Sequence, residues 1–598
     1  MKLLDLSFRH SVAIFIFLLL AFFLSTNYLM IKPDSYQPLL QRLVFLFNGL
    51  LLFFVLWFHE EKADKRIEKG FLVIAGVLFF VIYLLNFSPF LAIGMDSGTY
   101  LTLAKSMGDG QGFQMINGPT PQPHVLYGFG YPLILTLAYW IGGLNFPFLN
   151  ALNGLFFALF LWGLYEYFKN RKLPIKYVWL ILLVTGTHSM MHFYGSIIMT
   201  EAVFMALSIG IFITLERYEH SHEMFNRWFW ALLLLLVYAY MVKAVALGAL
   251  AAVFFHLVLR KQSKRAWILI GLFVLLSLPW VIRCMMIDNP DSPTYMTYFS
   301  KFFTSTADTT TLNAGVEMTD YYRQSLLNFK WDYLRTASLI FFYGEPFRGF
   351  PFINLIILVL ILSVVLYTFR NRDFMGFYVI MLSFAGILQS GFHRYYIVLF
   401  PFFVYIMLDC ALWIRKREKN FAGPLALYFF FAIMIVFTFS NFSSLSMRIN
   451  LMRTYGLNPP ELPFAQLGED CRNILPSGSV IAARKAPEFF LLSGYHCVYN
   501  IPLNIMAPSQ YDPKFYLALF ENFIKSPAEY LVVDQMRRES VEYWGSIVKA
   551  KPEIFVPVKM AADKFTGLYK VNREGMKNLA VEIAQLLEEE KAKTGGEN

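Results

Sequence analysis

The chain has 598 residues, 57% of them hydrophobic and 18% aromatic, with only 15% charged and a mean hydropathy of +0.50. Soluble domains carry about 25% charged residues, so this composition excludes a soluble globular protein and indicates a polytopic α-helical membrane protein. The net charge of +10 does not argue for nucleic acid, because the basic residues cluster at turns between apolar runs, and four cysteines exclude a disulfide-rich scaffold.

Thirteen runs approach the roughly 20 apolar residues a bilayer requires. They lie at about 11–30, 39–58, 71–91, 149–168, 175–194, 199–216, 227–242, 244–260, 266–283, 352–370, 373–390, 394–414 and 424–442. Ser11–Ile31 is too long for a signal-peptide core and no small-residue cleavage site follows it, so no cleavable signal is expected. Basic clusters occur at Lys62–Lys69, Lys169–Lys176, Arg260–Arg265, Arg370–Arg372 and Arg415–Lys419. With thirteen spans and the N-terminus inside, every cluster falls on the cytoplasmic side.

That topology divides the chain into an N-terminal hairpin (1–70), a membrane domain (71–442) with external loops at 92–148 and 284–351, and an external tail (443–598). The second loop predicts an amphipathic helix around Val316–Phe342, with Tyr321, Leu326, Phe329 and Tyr333 as its apolar positions. In the tail, the β-rich runs Val480–Ala483, Cys497–Ile501 and Tyr530–Val533 alternate with helical stretches at 513–525 and 535–549. The alternation predicts a small α/β domain with a mainly parallel sheet. Glu574–Lys593 closes the chain as a charged helix.

The stretch Met95–Phe113 follows directly on the apolar run Phe71–Leu91, which places Asp96 where the chain leaves the lipid. Tyr100, Leu103, Ala104 and Met107 then recur at helical spacing, predicting an amphipathic helix along the interface. Gly108, Gly110 and Gly112 end it. A lone acid at a helix end is more often a solvated loop residue, so the rest of the chain must decide.

Four other ionisable positions lie near the outer ends of spans: Glu201, Lys243, Arg283 and the pair His393–Arg394. One Lys or Arg there more often snorkels to the interface. A set of them is unusual, because the outer face is depleted in basic residues. His188 and His192 are four apart, a spacing that can place two imidazoles on one metal. Such histidines more often line a polar helix end, so no metal is assigned and a divalent cation stays open. Cys471 and Cys497 share the tail, as a bridge or as two free thiols. Cys284 has no evident partner, and Cys410 is expected to pack within a span.

A span, then Asp–x–x–x–Tyr–x–x–x–Ala (Asp96, Tyr100, Ala104), then Gly–x–Gly–Phe (Gly110–Phe113), resembles the first external loop of the GT-C membrane glycosyltransferases. The nearest members are bacterial ones allied to protein O-mannosyltransferases and lipid A aminoarabinose transferases. Gly128–Leu133 (GFGYPL) is similar to the Gly–Tyr–Pro–Leu segment that follows in that family, and IIMTEAVF around Glu201 to its second external acid. The resemblance covers the membrane part in layout and only a few short stretches in sequence. It implies that Asp96 is a general base, that Glu201 positions the acceptor or helps hold a cation, and that Tyr100 and Tyr131 line the donor and acceptor site.

The chemistry agrees with that implication. No nucleotide sugars exist outside the cytoplasmic membrane, so an activated sugar must arrive on a polyprenyl phosphate. Its phosphate needs cations, for which Lys243, Arg283, His393 and Arg394 are the candidates. Such a donor carries a good leaving group, so one base and charge stabilisation suffice. Single displacement predicts inversion. The expected partners are the polyprenyl-phosphate sugar, an acceptor lipid, glycan or protein, and membrane lipids, with no nucleic acid. A transporter or flippase of lipid-linked sugars is the rival from another class, but no internal repeat is evident and transport leaves the external domain unexplained. An O-antigen ligase or polymerase also has many spans and outer-face arginines, but it does not require the Asp–x–x–x–Tyr loop after a span. An inactive relative that only binds a prenyl lipid would carry the same composition.

Overall fold

The computed structural model describes residues 65–171, 173–221, 223–287, 351–388, 394, 396–418, 422–455, 461–501, 513–536 and 540–594. The expected spans at 11–30 and 39–58, the helix around Val316–Phe342, and His393 lie outside the described residues.

Among the described residues the membrane part is mainly helical. Its helices are α1 (Lys65–Asn86), α2 (Ser97–Gly108), α3 (Gly130–Gly142), α4 (Phe146–Asn170), α5 (Ile175–Gly186), α6 (Ser189–Gly195), α7 (Thr200–Glu219) and α8 (Arg227–Val242). They continue with α9 (Leu247–Leu259), α10 (Ser263–Met286), α11 (Pro351–Asn371), α12 (Phe374–Leu388), α13 (Phe400–Arg417) and α14 (Ala422–Tyr455). A two-stranded ribbon, β1 (Gln114–Met115) with β2 (Gln122–Pro123), lies between α2 and α3.

Among the described residues, four helices are long and apolar enough to cross a membrane, in Glu68–Asn86, Phe146–Asn170, Ser263–Met286 and Ile397–Arg417. A fifth span arises if the bent pair α6 and α7 counts as one. Val73, Val77, Phe80 and Leu84 form an exposed apolar stripe along α1, and Leu275, Leu278 and Ile282 do so on α10. Faces like these belong against lipid, and the chain is a multi-pass membrane protein.

Two expectations about helices are corrected. The run 175–194 is not one span: α5 stops at Gly186, and α6 meets α7 at 106°. The break is satisfied from elsewhere, since Asn441 on α14 donates to the Thr187 carbonyl at 2.8 Å and accepts from the Ser189 N–H at 2.7 Å. A helix interrupted in an apolar setting needs such partners for its freed backbone groups. Nor does α2 present one apolar and one exposed face. Ser97, Thr102 and Ser106 are buried along with Tyr100, Leu101, Leu103 and Ala104, because α2 is enclosed by α3 and by a helix of the tail.

Helix α14 runs to Tyr455, beyond the expected start of the tail at Ser443. The tail holds α15 (Leu462–Ile474), β3 (Val480–Ala483), α16 (Ala486–Ser493), β4 (His496–Tyr499), α17 (Pro513–Lys525) and β5 (Tyr530–Val533). After a π-turn at Ser540–Trp544 come α18 (Gly545–Ala550), β6 (Phe555–Met560), β7 (Gly567–Val571) and α19 (Arg573–Thr594). The sheet order is β4-β3-β5-β7-β6. Strand β3 pairs in parallel with β4 and β5, whereas β7 pairs antiparallel with β5 and β6, so the sheet is mixed rather than mainly parallel. The missed hairpin has an outer strand, β6, that is exposed at every position after Phe555, and so lacks the apolar run of a buried strand. The central strands β3 and β5 are buried at every position. All four cysteines are buried free thiols, so Cys471 and Cys497 form no bridge.

Candidate active site

Four of the ionisable residues singled out in the sequence meet at interruptions of helices. Asp96 is the N-cap of α2. Glu201 sits in the first turn of α7, just after the sharp bend. Lys243 ends α8 with an extended backbone (φ −156°, ψ 121°) before a 3₁₀ turn at Ala244–Ala246. Arg394 precedes a second 3₁₀ turn, Ile397–Leu399. Acids thus stand at helix N-termini and the lysine at a C-terminus, where each charge is favoured by the helix dipole.

The side chains form an alternating row. The Arg394 guanidinium donates to the Asp96 carboxylate at 2.9 Å, and its Nε lies 3.9 Å from Glu201 Oε1. Lys243 Nζ donates to Glu201 Oε1 at 2.8 Å. The Glu201 side chain is 1% exposed and that of Lys243 9%, against 25% for Asp96 and 21% for Arg394. A buried ion pair therefore lies beneath a more accessible one. Isolated charges at this depth would be prohibitively costly, and mutual pairing is what makes the buried pair tolerable.

The supporting contacts hold this geometry from several elements. Next to Asp96, Ser97 donates to the Ile198 carbonyl at 2.9 Å, tying α2 to the bend before Glu201. Asn153 on α4 donates to the carbonyls of Ile197 and Met199, and accepts from the Tyr131 hydroxyl at 3.1 Å. Tyr131 is fully buried, and Tyr100 packs edge-on against it with ring centroids 5.2 Å apart. Gly128 and Gly130 lie against the Met241–Val242 backbone just before Lys243; a Cβ at Gly130 would come within 2.9 Å of it.

Arg283 does not join the row. Its guanidinium donates to the carbonyls of His124 at 2.9 Å and Phe113 at 3.0 Å, and lies over the rings of Phe113 and Trp280. His188 caps α6 by accepting from the Met190 N–H, and His192 bonds to the Gly186 carbonyl at 2.6 Å. Among the described residues, no group of three or more His, Cys, Asp or Glu is placed to hold a metal.

Sequence reasoning missed the contribution of the tail. Glu461 precedes α15, and Lys485 and Glu488 lie at the end of β3 and the start of α16. All three reach the backbone beside Asp96. Lys485 donates to the Met95 carbonyl at 2.9 Å, and Glu461 accepts from the N–H groups of Ile93 and Gly94, each at 3.2 Å. Burial pushes the Glu488 carboxyl up to about 7, against the opposing pull of Lys485. A signal was available, since the carboxyl end of a central parallel strand is where α/β sheets place their functional loops.

No family model matches the sequence, and no curated protein matches it significantly. Among solved structures, the chain is similar to the oligosaccharyltransferase of Archaeoglobus fulgidus tethered to an acceptor peptide containing the NVT sequon. The identity is 11% and the TM-score 0.50, over 86% of this chain and 75% of that one. It is also similar to ArnT from Cupriavidus metallidurans bound to undecaprenyl phosphate, at 11% identity and a TM-score of 0.48, over 84% and 98% of the two chains. Archaeal AglB from Archaeoglobus fulgidus, in complex with an inhibitory peptide and a dolichol-phosphate, gives 11% and 0.49, over 85% and 75%. Identity this low speaks to architecture alone: the chain shares the fold of the Archaeoglobus fulgidus oligosaccharyltransferase.

Proposed function

We propose that this chain is an inverting membrane glycosyltransferase that takes a sugar from a polyprenyl phosphate on the external face, with Asp96 as general base. The observation that carries the reading is the row Asp96–Arg394–Glu201–Lys243, two acids and two bases assembled at helix breaks in the fold shared with that oligosaccharyltransferase. The clusters of basic residues at turns between apolar runs support a row and a sheet-bearing tail that face outside, where lipid-linked donors are the available ones.

The steps follow from the charges. An arriving donor phosphate competes with Asp96 for the Arg394 fork, and Lys243 supplies a second cation. Release of Arg394 leaves the Asp96 carboxylate able to take the proton of an acceptor hydroxyl. The acceptor oxygen attacks the anomeric carbon as the bond to the phosphate oxygen breaks, and polyprenyl phosphate departs as an anion held by Arg394 and Lys243. Glu201 keeps both cations in place. Tyr100 and Tyr131 back the site, and Arg283 holds the loop through its bonds to Phe113 and His124. The acceptor is a lipid, glycan or protein.

The test is transfer from synthetic polyprenyl-phosphate sugars in detergent, with donor binding measured alongside. Asp96→Asn keeps the shape and loses the proton acceptor, so transfer should fall by about 10²–10⁴ with donor binding retained. Near-normal transfer by the folded variant would remove the assignment. The bent pair α6–α7 is also a feature of transporters; that reading predicts movement of the donor across vesicles with no covalent transfer.

A further inference from the structure

We propose that the tail is a positioning device for the base: Glu461, Lys485 and Glu488 hold the backbone on both sides of Asp96, so that its carboxylate is spared from capping its own helix. The inference rests on Asp96 being the base.

An Asp at an N-cap ordinarily turns its carboxylate onto the N–H of the second or third helical residue. Asp96 occupies that position on α2 and makes no such bond. The Glu488 side chain packs against Gly98, the second helical residue, in the place such a cap would occupy. Asp96 instead points at Arg394. The substitution is built into the packing, since a Cβ at Gly98 would come within 2.5 Å of the Glu488 side chain.

The neighbouring backbone groups are held by hydrogen bonds. Lys485 takes the Met95 carbonyl, and Glu461 takes the N–H groups of Ile93 and Gly94 with one oxygen each. Both acids are buried, Glu461 at 6% and Glu488 at 2% exposure. Every one of these contacts is to main chain, so what the tail fixes is the path of residues 93–98 and thereby the aim of Asp96. A shift of about 1 Å in a reacting group can cost roughly 10²-fold in rate, which is the effect such a clamp protects against.

The experiment compares Glu488→Ala, Glu488→Gln, Lys485→Ala, Asp96→Asn and Asn117→Ala in the full-length protein. It reads kcat, donor KM and hydrogen exchange at residues 93–100. Asn117 is the control: its side chain donates to the Cys497 carbonyl at 2.9 Å, joining the same tail to the loop away from Asp96. The expected result is a kcat lowered by about 10²-fold in Glu488→Ala and Lys485→Ala, with donor KM unchanged and faster exchange at Gly98 in Glu488→Ala. Glu488→Gln retains the shape of the side chain and should recover most of the kcat, while Asn117→Ala should match the wild type. Wild-type kcat in Glu488→Ala beside an inactive Asp96→Asn overturns this inference alone. Equal losses in Asn117→Ala and Glu488→Ala also overturn it, because they mark simple docking. An active Asp96→Asn removes the base and this inference with it.

Discussion

Arg394 donates to Asp96 at 2.9 Å, across 298 residues of sequence, and so holds the proposed base in an ion pair before any substrate is bound. The same guanidinium lies 3.9 Å from Glu201. An incoming phosphate therefore meets an arginine that can exchange one carboxylate for another anion while Glu201 keeps it in register.

Arg394→Ala should weaken binding of a polyprenyl phosphate. A hydrogen bond to a charged group contributes about 1.5–3 kcal/mol, or roughly 10- to 150-fold in Kd. Arg394→Lys should recover only part of this, because an ammonium lacks the planar fork. Titration of the detergent-solubilised protein with a fluorescent polyprenyl phosphate reads both. Unchanged binding in the Ala variant would return Arg394 to a structural partner of Asp96.

The Glu201–Lys243 pair predicts a stability pattern independent of activity. Removing Lys243 as Ala leaves a carboxylate that is 1% exposed with only the more distant Arg394 as a cationic neighbour, and breaking a buried pair this way costs about 3–5 kcal/mol. The double change Glu201→Gln with Lys243→Met removes both charges and should regain most of that loss. Thermal unfolding in detergent checks it. Additive losses in the double variant would show that the pair is not coupled.

The four residues of the row were each visible in the sequence, as ionisable groups at the ends of apolar runs. Hydropathy gives depth in the membrane but not lateral neighbours. Arg283 carries the same depth signal as Arg394, yet it faces the carbonyls of Phe113 and His124 while Arg394 faces Asp96. The break after Gly186 falls in the polar stretch Thr185–Ser189, which the apolar residues on both sides mask in a hydropathy average, and the group that satisfies it, Asn441, arrives 252 residues after Ser189. Likewise the period of α2 suggested one buried face. The tail covers the other, and nothing local records that.

Stability should also depend on pH through Glu488. Its carboxyl stands at about 7 in the folded protein against a usual value of 4.5, with burial the main cause. The folded state therefore holds the proton more tightly than the unfolded one. The resulting stability is complete below about 4.5 and is lost as pH rises to about 7, by up to about 3 kcal/mol. Glu488→Gln cannot ionise, so its unfolding profile should be flatter between those limits. A variant profile parallel to the wild type would assign the dependence to other groups.

The last prediction concerns the GFGYPL segment, whose glycines set how closely α3 approaches the end of α8. A Cβ on Gly128 would overlap the Met241 carbonyl oxygen, and one on Gly130 would lie 2.9 Å from the Met241 carbonyl carbon and from the Val242 nitrogen. These are backbone atoms, so no side chain can rotate aside. Tyr238 also donates to the Gly130 carbonyl at 2.8 Å, which fixes the two elements together. Gly128→Ala must therefore move the Met241–Val242 backbone, and Lys243 is the next residue. Overpacking of this kind costs about 1–3 kcal/mol. It should also raise the donor KM, because a displaced Lys243 lengthens its 2.8 Å contact with Glu201. Gly118→Ala is the matched control, since the nearest atom to its added methyl, Thr120 O, is 3.8 Å away. That variant should stay within about 0.5 kcal/mol of the wild type with an unchanged KM. Equal behaviour of the two alanine variants would show that the close approach at Gly128 does not set the position of Lys243.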